Sequence, residues 1–228
     1  MDTEKMKQAA GYKAASFIED DMIIGLGTGS TAKYFIEKVI ARKKEEGLKI
    51  QAVATSNQSL KQALEGNIPI LDINSIESID LTVDGADEID PQKRMIKGGG
   101  GALLREKIIA SMSKELVIVV DEKKLSKQLG SCKLPVEITP FACNATLKHI
   151  QKLGVFAQIR TSNEKSNDYY ITDNGNYIVD IRFKEPIDQP EKQEDLLKAI
   201  PGIVETGFFF HLAGRVITAF TDGQILIT

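Results

Sequence analysis

The first half of the chain alternates short apolar runs with amphipathic segments. Residues 22–26 are almost continuously apolar, which favours a buried strand, whereas residues 30–41 carry apolar side chains at helical spacing. The same patterns predict strands over 22–26, 50–54, 68–71, 81–83 and 116–120, and helices over 3–19, 30–41, 58–64 and 102–112. This alternation predicts a parallel sheet covered by helices on both faces.

The order of the predicted elements changes after Leu134. The patterns there predict strands over 135–138, 156–160, 169–172, 177–183 and 203–207, and helices over 145–153 and 191–199. These five strands and two helices contain the βαββαβ order of a ferredoxin-like domain, and Asn174-Gly175 favours a hairpin turn because glycine adopts a positive φ without steric cost. A last hairpin, with strands over 216–220 and 225–227, is expected to rejoin the first sheet.

These patterns predict an α/β fold with two parts. We expect a Rossmann-like parallel sheet with helices on both faces over residues 1–130 and 209–228, and a smaller ferredoxin-like α+β domain over residues 131–208. With 228 residues, of which 42% are hydrophobic, the chain can bury a sizeable core as one large or two small domains.

Charge and composition narrow the classes of partner. A formal net charge of −3 gives no reason to expect nucleic acid or a membrane surface, so an anionic ligand must be captured by local cations. No apolar stretch has the length of a signal peptide or a membrane span, and we expect a cytoplasmic protein. Cys132 and Cys143 lack the spacing of a disulfide framework or a zinc site. His149 and His211 are assigned no role.

Polar or glycine-rich segments follow four of the predicted strands, at residues 27–31, 55–57, 84–87 and 121–124. In an open parallel sheet, ligands bind beyond the carboxyl ends of the strands. The topology alone therefore gathers these four segments at one edge of the sheet, where we predict the functional site.

The glycine turn after the first strand suits a single phosphate group. The run Gly25-Leu26-Gly27-Thr28-Gly29-Ser30-Thr31 lacks the glycine at position 30 that a dinucleotide fingerprint needs, and it is not a nucleoside-triphosphate loop. It does enter a helix, whose N–H groups and positive dipole end favour an anion, with the hydroxyls of Thr28, Ser30 and Thr31 as further donors. A plain strand-to-helix turn with hydroxyl capping is the alternative.

Three consecutive segments have the composition of a proton-transfer site. They are Asp84-Gly85-Ala86-Asp87-Glu88, Lys97-Gly98-Gly99-Gly100-Gly101 and Arg105-Glu106-Lys107. Taken singly, they are also typical of an acidic turn, a linker and a charged helix face. Together they offer a carboxylate base in Glu106, a cation in Lys97 and backbone N–H groups for a developing negative charge.

The same segments resemble those of a known family, ribose-5-phosphate isomerase type A. The matching segments also include Leu134-Pro135-Val136-Glu137 and Thr172-Asp173-Asn174-Gly175-Asn176, and the match spans nearly the whole chain in order. One departure is Gly101, where alanine is common in the family. The resemblance implies interconversion of D-ribose 5-phosphate and D-ribulose 5-phosphate through an enediolate, without metal or cofactor, by a homodimer or homotetramer.

The resemblance also implies a role for each site residue. Glu106 would carry the proton between carbons 1 and 2, Asp84 would assist ring opening or move hydroxyl protons beside Asp87, and Lys97 would stabilise the oxyanion. The residues implied to bind substrate are Lys7, Thr28, Gly29, Ser30, Thr31, Asp84, Gly85, Ala86, Asp87, Lys97, Gly98, Gly99, Gly100 and Lys124.

Two other classes of protein compete with this interpretation. An amino-sugar-phosphate deaminase or a coenzyme A transferase with a nucleophilic glutamate would share the general architecture. A sugar-phosphate sensor domain of a transcription regulator is the rival without catalysis, although no helix-turn-helix or basic segment precedes residue 20.

Overall fold

The computed structural model describes residues 1–163 and 168–228 and divides into two compact units. The first unit contains Met1–Ala86, Arg105–Leu125 and Leu212–Thr228, and the second contains Asp87–Leu104 and Ser126–His211. Relative to the expected division, residues 87–104, 126–130 and 209–211 belong to the second unit. Whether either unit is an independently folding domain stays a prediction.

The described residues form six α helices and thirteen strands. The helices are α1 (Thr3–Ala15), α2 (Ser30–Glu46), α3 (Asn57–Glu65), α4 (Leu103–Ser111), α5 (Cys143–Gln151) and α6 (Pro190–Lys198). The strands are β1 (Ile23–Leu26), β2 (Gln51–Ala54), β3 (Leu81–Asp84), β4 (Glu88–Ile89), β5 (Met95–Ile96), β6 (Leu116–Asp121), β7 (Leu134–Ile138), β8 (Phe156–Ile159), β9 (Tyr177–Arg182), β10 (Ile203–Thr206), β11 (Phe208–Phe209), β12 (Ala213–Ala219) and β13 (Ile225–Ile227). None of the described helices is long and apolar enough to cross a membrane.

The first unit is built on a six-stranded sheet in the order β13-β12-β6-β3-β1-β2. All neighbours run parallel except β12 and β13, which form the expected hairpin at the edge. Leu26 on β1 pairs with Ala54 and with Val83, so these strands end at the same level. The predicted parallel sheet is confirmed, and the polar segments after β1, β2 and β3 share its carboxyl edge.

Alternate residues of the central strands enter two different apolar clusters. Ile24 and Leu26 belong to the large core with residues of α1 and α2, whereas Ile23 and Val53 pack with Ile109 of α4. Successive side chains of a strand point to opposite faces. Helices therefore cover both faces of this sheet, as the apolar runs predicted.

The ends of several elements differ from the sequence-based expectation. Helix α1 stops at Ala15 instead of residue 19, and α2 continues past residue 41 to Glu46. The added turn of α2 is polar, is supported by an ion pair between Arg42 and Glu46, and ends at Gly47 with a φ of 76°. The strand predicted over 68–71 is only a single bridge from Ile70 to β2.

The second unit contains a four-stranded antiparallel sheet in the order β10-β7-β9-β8. With α5 after β7 and α6 after β9, this is the ferredoxin-like arrangement that the sequence predicted. The strand predicted over 169–172 is wrong, because Tyr169 makes only one bridge, to Thr161. The turn at Gly175 is present, with a φ of 78°.

A three-stranded sheet in the second unit was not predicted. It joins β11, β5 and β4, each of two residues. Strands this short leave no alternating pattern in the sequence. Glu88 begins β4 and Lys97 directly follows β5, so this sheet positions one residue of the acidic motif and the lysine of the glycine motif.

Candidate active site

The glycine turn of the first unit leaves the start of a helix uncapped. Helix α1 is capped by the side chain of Asp2 and α3 by that of Ser56, but no side chain in the described part of the chain caps α2 at Gly29. Gly29 has a φ of 98°, which strains any residue with a side chain, and both Gly29 and Ser30 are exposed. The first-turn N–H groups of α2 are thus placed for an external anion such as a phosphate.

Hydroxyl groups from the neighbouring strand and helix hold this turn. The hydroxyls of Thr28 and Thr55 are 2.6 Å apart, and the Thr55 hydroxyl also donates to the Leu26 carbonyl at 3.0 Å. Ser59 donates from its hydroxyl to the Gly27 carbonyl at 2.5 Å. Sequence reasoning placed residue 55 at the correct edge but did not recognise Thr55 or Ser59 as supports of the turn.

Asp84 ends β3 and is fixed against the same turn. Its Oδ1 accepts hydrogen bonds from the backbone N–H groups of Thr28 at 3.0 Å and Gly85 at 2.8 Å. A side chain at position 27 would collide with the Asp84 carboxylate and backbone, so Gly27 is required for this approach. Asp84 is buried, and its carboxylate is tied to the predicted phosphate turn.

Glu106 lies in the first turn of α4. Its exposure is 5%, so bulk water scarcely reaches the carboxylate. The dipole of a helix favours negative charge at this end. A buried, ionisable carboxylate at a helix start is suited to take and return a proton.

Lys97, in the second unit, is a buried cation with an exposure of 3%. Its backbone N–H donates to the Gly207 carbonyl at 2.8 Å, and its Nζ lies 5.3 Å from the centroid of the Phe209 ring. A cation over an aromatic face is attracted by the ring electrons. Phe209, on β11, was not singled out in the sequence because its strand was not predicted.

The glycine loop after Lys97 is tied to Asp87. The N–H of Gly99 donates to Asp87 Oδ2 at 2.7 Å, so this donor faces a carboxylate of the protein. Gly98 has a φ of 97°, and Gly99 and Gly100 are exposed. Asp84 and Asp87 therefore hold different loops: Asp84 contacts the turn at Thr28 and Asp87 contacts the loop at Gly99.

Glu88, the last residue of the acidic motif, stabilises the fold of the second unit by binding the backbone at residues 130–131. Its buried carboxylate accepts hydrogen bonds from the N–H groups of Gly130 at 2.9 Å and Ser131 at 3.1 Å, and from the Ser131 hydroxyl at 2.6 Å. Burial acts to raise the pKa of Glu88, but the hydrogen bonds from Ser131 and Gly130 outweigh it and lower the pKa. Glu88 is thus an ionised structural group.

The two lysines implied to contact substrate lie on separate elements of the first unit. Lys7 on α1 forms an ion pair with Glu4 at 2.7 Å, and Glu4 also accepts from the Tyr34 hydroxyl at 2.9 Å. These hydrogen bonds lower the pKa of Glu4. Lys124 ends the 3₁₀ turn Glu122–Lys124 and is half-buried. A substrate contact of either lysine stays a prediction.

A sequence model of the family described as Ribose 5-phosphate isomerase A (phosphoriboisomerase A) matches residues 51–223. The ribose-5-phosphate isomerase A of Protochlamydia amoebophila (strain UWE25) is 51% identical over 223 residues, which cover 98% of this chain and 95% of that protein. The chain belongs to the ribose 5-phosphate isomerase A family. The resemblance inferred from the motifs is confirmed.

Other ribose 5-phosphate isomerases agree over nearly the full length. The enzyme of Streptococcus pneumoniae serotype 2 is 46% identical over 225 residues, covering 99% of this chain and 97% of that one. The solved ribose 5-phosphate isomerase A of Methanocaldococcus jannaschii is 35% identical, with a TM-score of 0.91 and 99% of each chain covered. A D-ribose-5-phosphate isomerase in complex with phospho-erythronic acid is 40% identical, with a TM-score of 0.93, and covers 100% of this chain and 99% of that chain. The predicted fold class is confirmed.

Within this family fold, no three His, Cys, Asp or Glu side chains of residues 1–163 and 168–228 cluster as metal ligands. The two cysteines are free thiols.

Proposed function

We propose that this chain interconverts D-ribose 5-phosphate and D-ribulose 5-phosphate through an enediolate. One observation carries the proposal: this member of the family has a buried carboxylate, Glu106, at the start of a helix. It also has a buried lysine, Lys97, directly before an exposed glycine loop. Isomerisation of an aldose needs both parts. A base must take the proton beside the carbonyl, and cationic or N–H donors must hold the charge that forms.

The proton transfer follows from these roles. Glu106 takes the proton from carbon 2 of the open-chain aldose, and the electron pair moves through the new carbon–carbon double bond to the oxygen of carbon 1. Lys97 and the N–H groups of Gly98 and Gly100 stabilise that oxyanion, whereas the Gly99 N–H, to which the resemblance gives the same role, donates to Asp87 at 2.7 Å. Glu106 then returns the proton to carbon 1, while the hydroxyl proton of carbon 2 moves to the oxygen of carbon 1 and leaves a ketone at carbon 2.

Asp84 and Asp87 serve the hydroxyl groups in this scheme. Asp84 assists ring opening or moves the hydroxyl proton, and its fixed position beside the Thr28 turn supports that role. Asp87 lies beside it in sequence and holds the Gly99 N–H. The backbone of Gly85 and Ala86, between the two carboxylates, contacts the sugar.

The phosphate group is bound at the start of α2. The uncapped N–H groups after Gly29 and the hydroxyls of Thr28, Ser30 and Thr31 are the donors. Lys7 and Lys124 add positive charge. The positive end of the helix dipole and the positively charged lysines both attract the dianion of a sugar phosphate.

We also infer that the enzyme works in the cytoplasm as a homodimer or homotetramer. Large apolar side chains of the second unit lie exposed, among them Phe141 at 89% and Ile171 at 62%. Where such side chains form one contiguous patch, they mark surfaces between subunits. The free thiols of Cys132 and Cys143 fit a reducing compartment.

The test is direct assay of the purified protein with ribose 5-phosphate. Ribulose 5-phosphate should appear and reach the same equilibrium mixture from either side, and Glu106→Gln should be the inactive control. Two further incubations separate the rivals. A thioester at Glu106 trapped by borohydride after acyl-coenzyme A would identify a transferase, and ammonia released from an amino-sugar phosphate would identify a deaminase.

A further inference from the structure

Two side chains hold the carbonyl groups of the glycine loop. Nη1 of Arg160 donates to the carbonyls of Gly99 at 3.0 Å and Gly98 at 3.3 Å, and the Tyr170 hydroxyl donates to the Gly100 carbonyl at 3.2 Å. Three consecutive glycines thus have their carbonyls bound by side chains that lie 60 to 70 positions away in sequence. A run of glycines would otherwise be the most conformationally free kind of backbone.

Arg160 is itself fixed by a buried ion pair. Its Nε and Nη2 contact Oδ2 and Oδ1 of Asp180 at 3.0 and 2.5 Å, and Lys133 contacts Asp180 Oδ2 at 2.6 Å. Burial acts to raise the pKa of Asp180, but Arg160 and Lys133 outweigh it and lower the pKa, so Asp180 stays ionised at neutral pH. A planar guanidinium held on both edges has one orientation, which a lysine at this position could not reproduce.

Tyr170 is the second side chain that holds the glycine loop. The Arg160 guanidinium lies 5.7 Å from the centroid of its ring. Burial raises the pKa of the Tyr170 phenol, so the hydroxyl remains a donor at neutral pH. Gly101 leaves room for it, because a side chain at position 101, where φ is 85°, would collide with the Tyr170 hydroxyl.

Holding the carbonyls also sets the direction of the N–H groups. In a trans peptide the C=O and the following N–H point to opposite sides. The peptide between Gly98 and Gly99 accordingly turns its N–H to Asp87, at 2.7 Å. The next peptide turns the N–H of Gly100, an exposed residue, away from Arg160. A cationic donor on a carbonyl also polarises its peptide and strengthens the N–H as a donor.

We propose that Arg160 and Tyr170 are positioning residues for the isomerisation. Arg160 sets the plane of the peptide that carries the Gly100 N–H, so that this N–H meets the oxyanion of the enediolate. Tyr170 holds the following peptide, whose Gly101 N–H donates to the Gly98 carbonyl at 2.9 Å and closes the loop. Neither side chain touches the substrate. The proposal rests on the proposed function, since it assigns the loop to the oxyanion. It differs from a purely structural role because misaligned peptides must affect the transition state more than the bound substrate.

The experiment compares Arg160→Met with Lys133→Met. Both substitutions remove a cation from Asp180, but only Arg160 contacts the glycine loop. For Arg160→Met, kcat should fall by about 10-fold to 100-fold, below the roughly 10²–10³-fold known for complete loss of one oxyanion donor. KM should change by less than about threefold, because the phosphate turn is untouched. Lys133→Met should retain the native kcat.

Inhibition by phospho-erythronic acid, whose carboxylate resembles the enediolate charge, provides a second readout. Its Ki should rise in Arg160→Met by about the factor lost from kcat/KM, while Ki for inorganic phosphate stays unchanged. Tyr170→Phe, which keeps the ring, should lower kcat by roughly 2-fold to 10-fold. The kcat of Tyr170→Phe tests the positioning role if Arg160→Met fails to fold.

The kinetics of the three variants decide whether Arg160 and Tyr170 position the glycine loop. Native kcat and Ki in folded Arg160→Met, or native kcat in Tyr170→Phe where Arg160→Met does not fold, overturn the positioning role. An equal loss of kcat in Lys133→Met also overturns it, because the effect would then belong to Asp180. If the native protein itself does not convert ribose 5-phosphate, the proposed function fails, and that outcome is visible before any variant is compared.

Discussion

Glu88 and Glu106 belong to neighbouring motifs, but the structure predicts opposite consequences for their replacement by glutamine. In Glu88→Gln the amide oxygen can keep the contacts to Ser131, but the amide nitrogen then faces the N–H of Gly130, which loses its acceptor, and the more distant N–H of Cys132 at 3.4 Å. Leaving one such donor unsatisfied costs about 1–3 kcal/mol. At about 2–4 °C per kcal/mol for a chain of this size, the melting temperature should fall by roughly 2–12 °C.

The assay pairs thermal unfolding with kinetics at a temperature where every variant is folded. Glu88→Gln should melt earlier than the native protein yet keep its kcat, because the Glu88 carboxylate faces residues 130–131. Glu106→Gln, which makes the same change of charge, should melt near the native temperature and lose kcat. A Glu88→Gln variant with native stability and a large loss of kcat would refute this division between a structural and a catalytic carboxylate.

The pH dependence of the melting temperature of Glu88→Gln tests whether the charge of the Glu88 carboxylate stabilises the fold. The pKa of Glu88 is lowered in the folded protein, whereas the unfolded carboxyl has an ordinary pKa of about 4.3. The stabilisation is therefore complete above that ordinary value and is lost as the pH falls through the folded pKa. The difference in melting temperature between the native protein and Glu88→Gln should shrink on acidification, and a difference that stays constant into strong acid contradicts the assignment.

Three further outcomes are expected. Glu106→Gln should lower kcat by roughly 10²–10⁴ while affinity for phospho-erythronic acid changes little, and near-native turnover would move the base to Asp84 or Asp87. Ser30→Ala or Thr31→Ala should raise KM with weak competition by inorganic phosphate in the native enzyme, and unchanged KM in both variants without competition would place the phosphate elsewhere. Activity should survive exhaustive chelation, and loss restored by a divalent ion would contradict metal-independent turnover.

The sequence by itself determined the layers of the fold and the residue types that the candidate site offers. Continuous apolar runs such as that of β1 occur where a strand is buried on both faces, and the end of such a strand in a parallel sheet is where ligands bind. Local patterns therefore sufficed to place the Thr28 turn and Asp84 at one sheet edge. The glycines, Lys97 and Glu106 were evident from residue type and order alone.

The tertiary structure decided which of these groups bind other parts of the chain. The Glu88 carboxylate is bound by residues more than 40 positions away, and the Gly98 and Gly99 carbonyls by Arg160. The two-residue strands that place Lys97 beside Phe209 exist only because distant segments pair. Hydrogen bonds of this kind depend on packing between segments far apart in sequence, and no local pattern of apolar and polar residues encodes them.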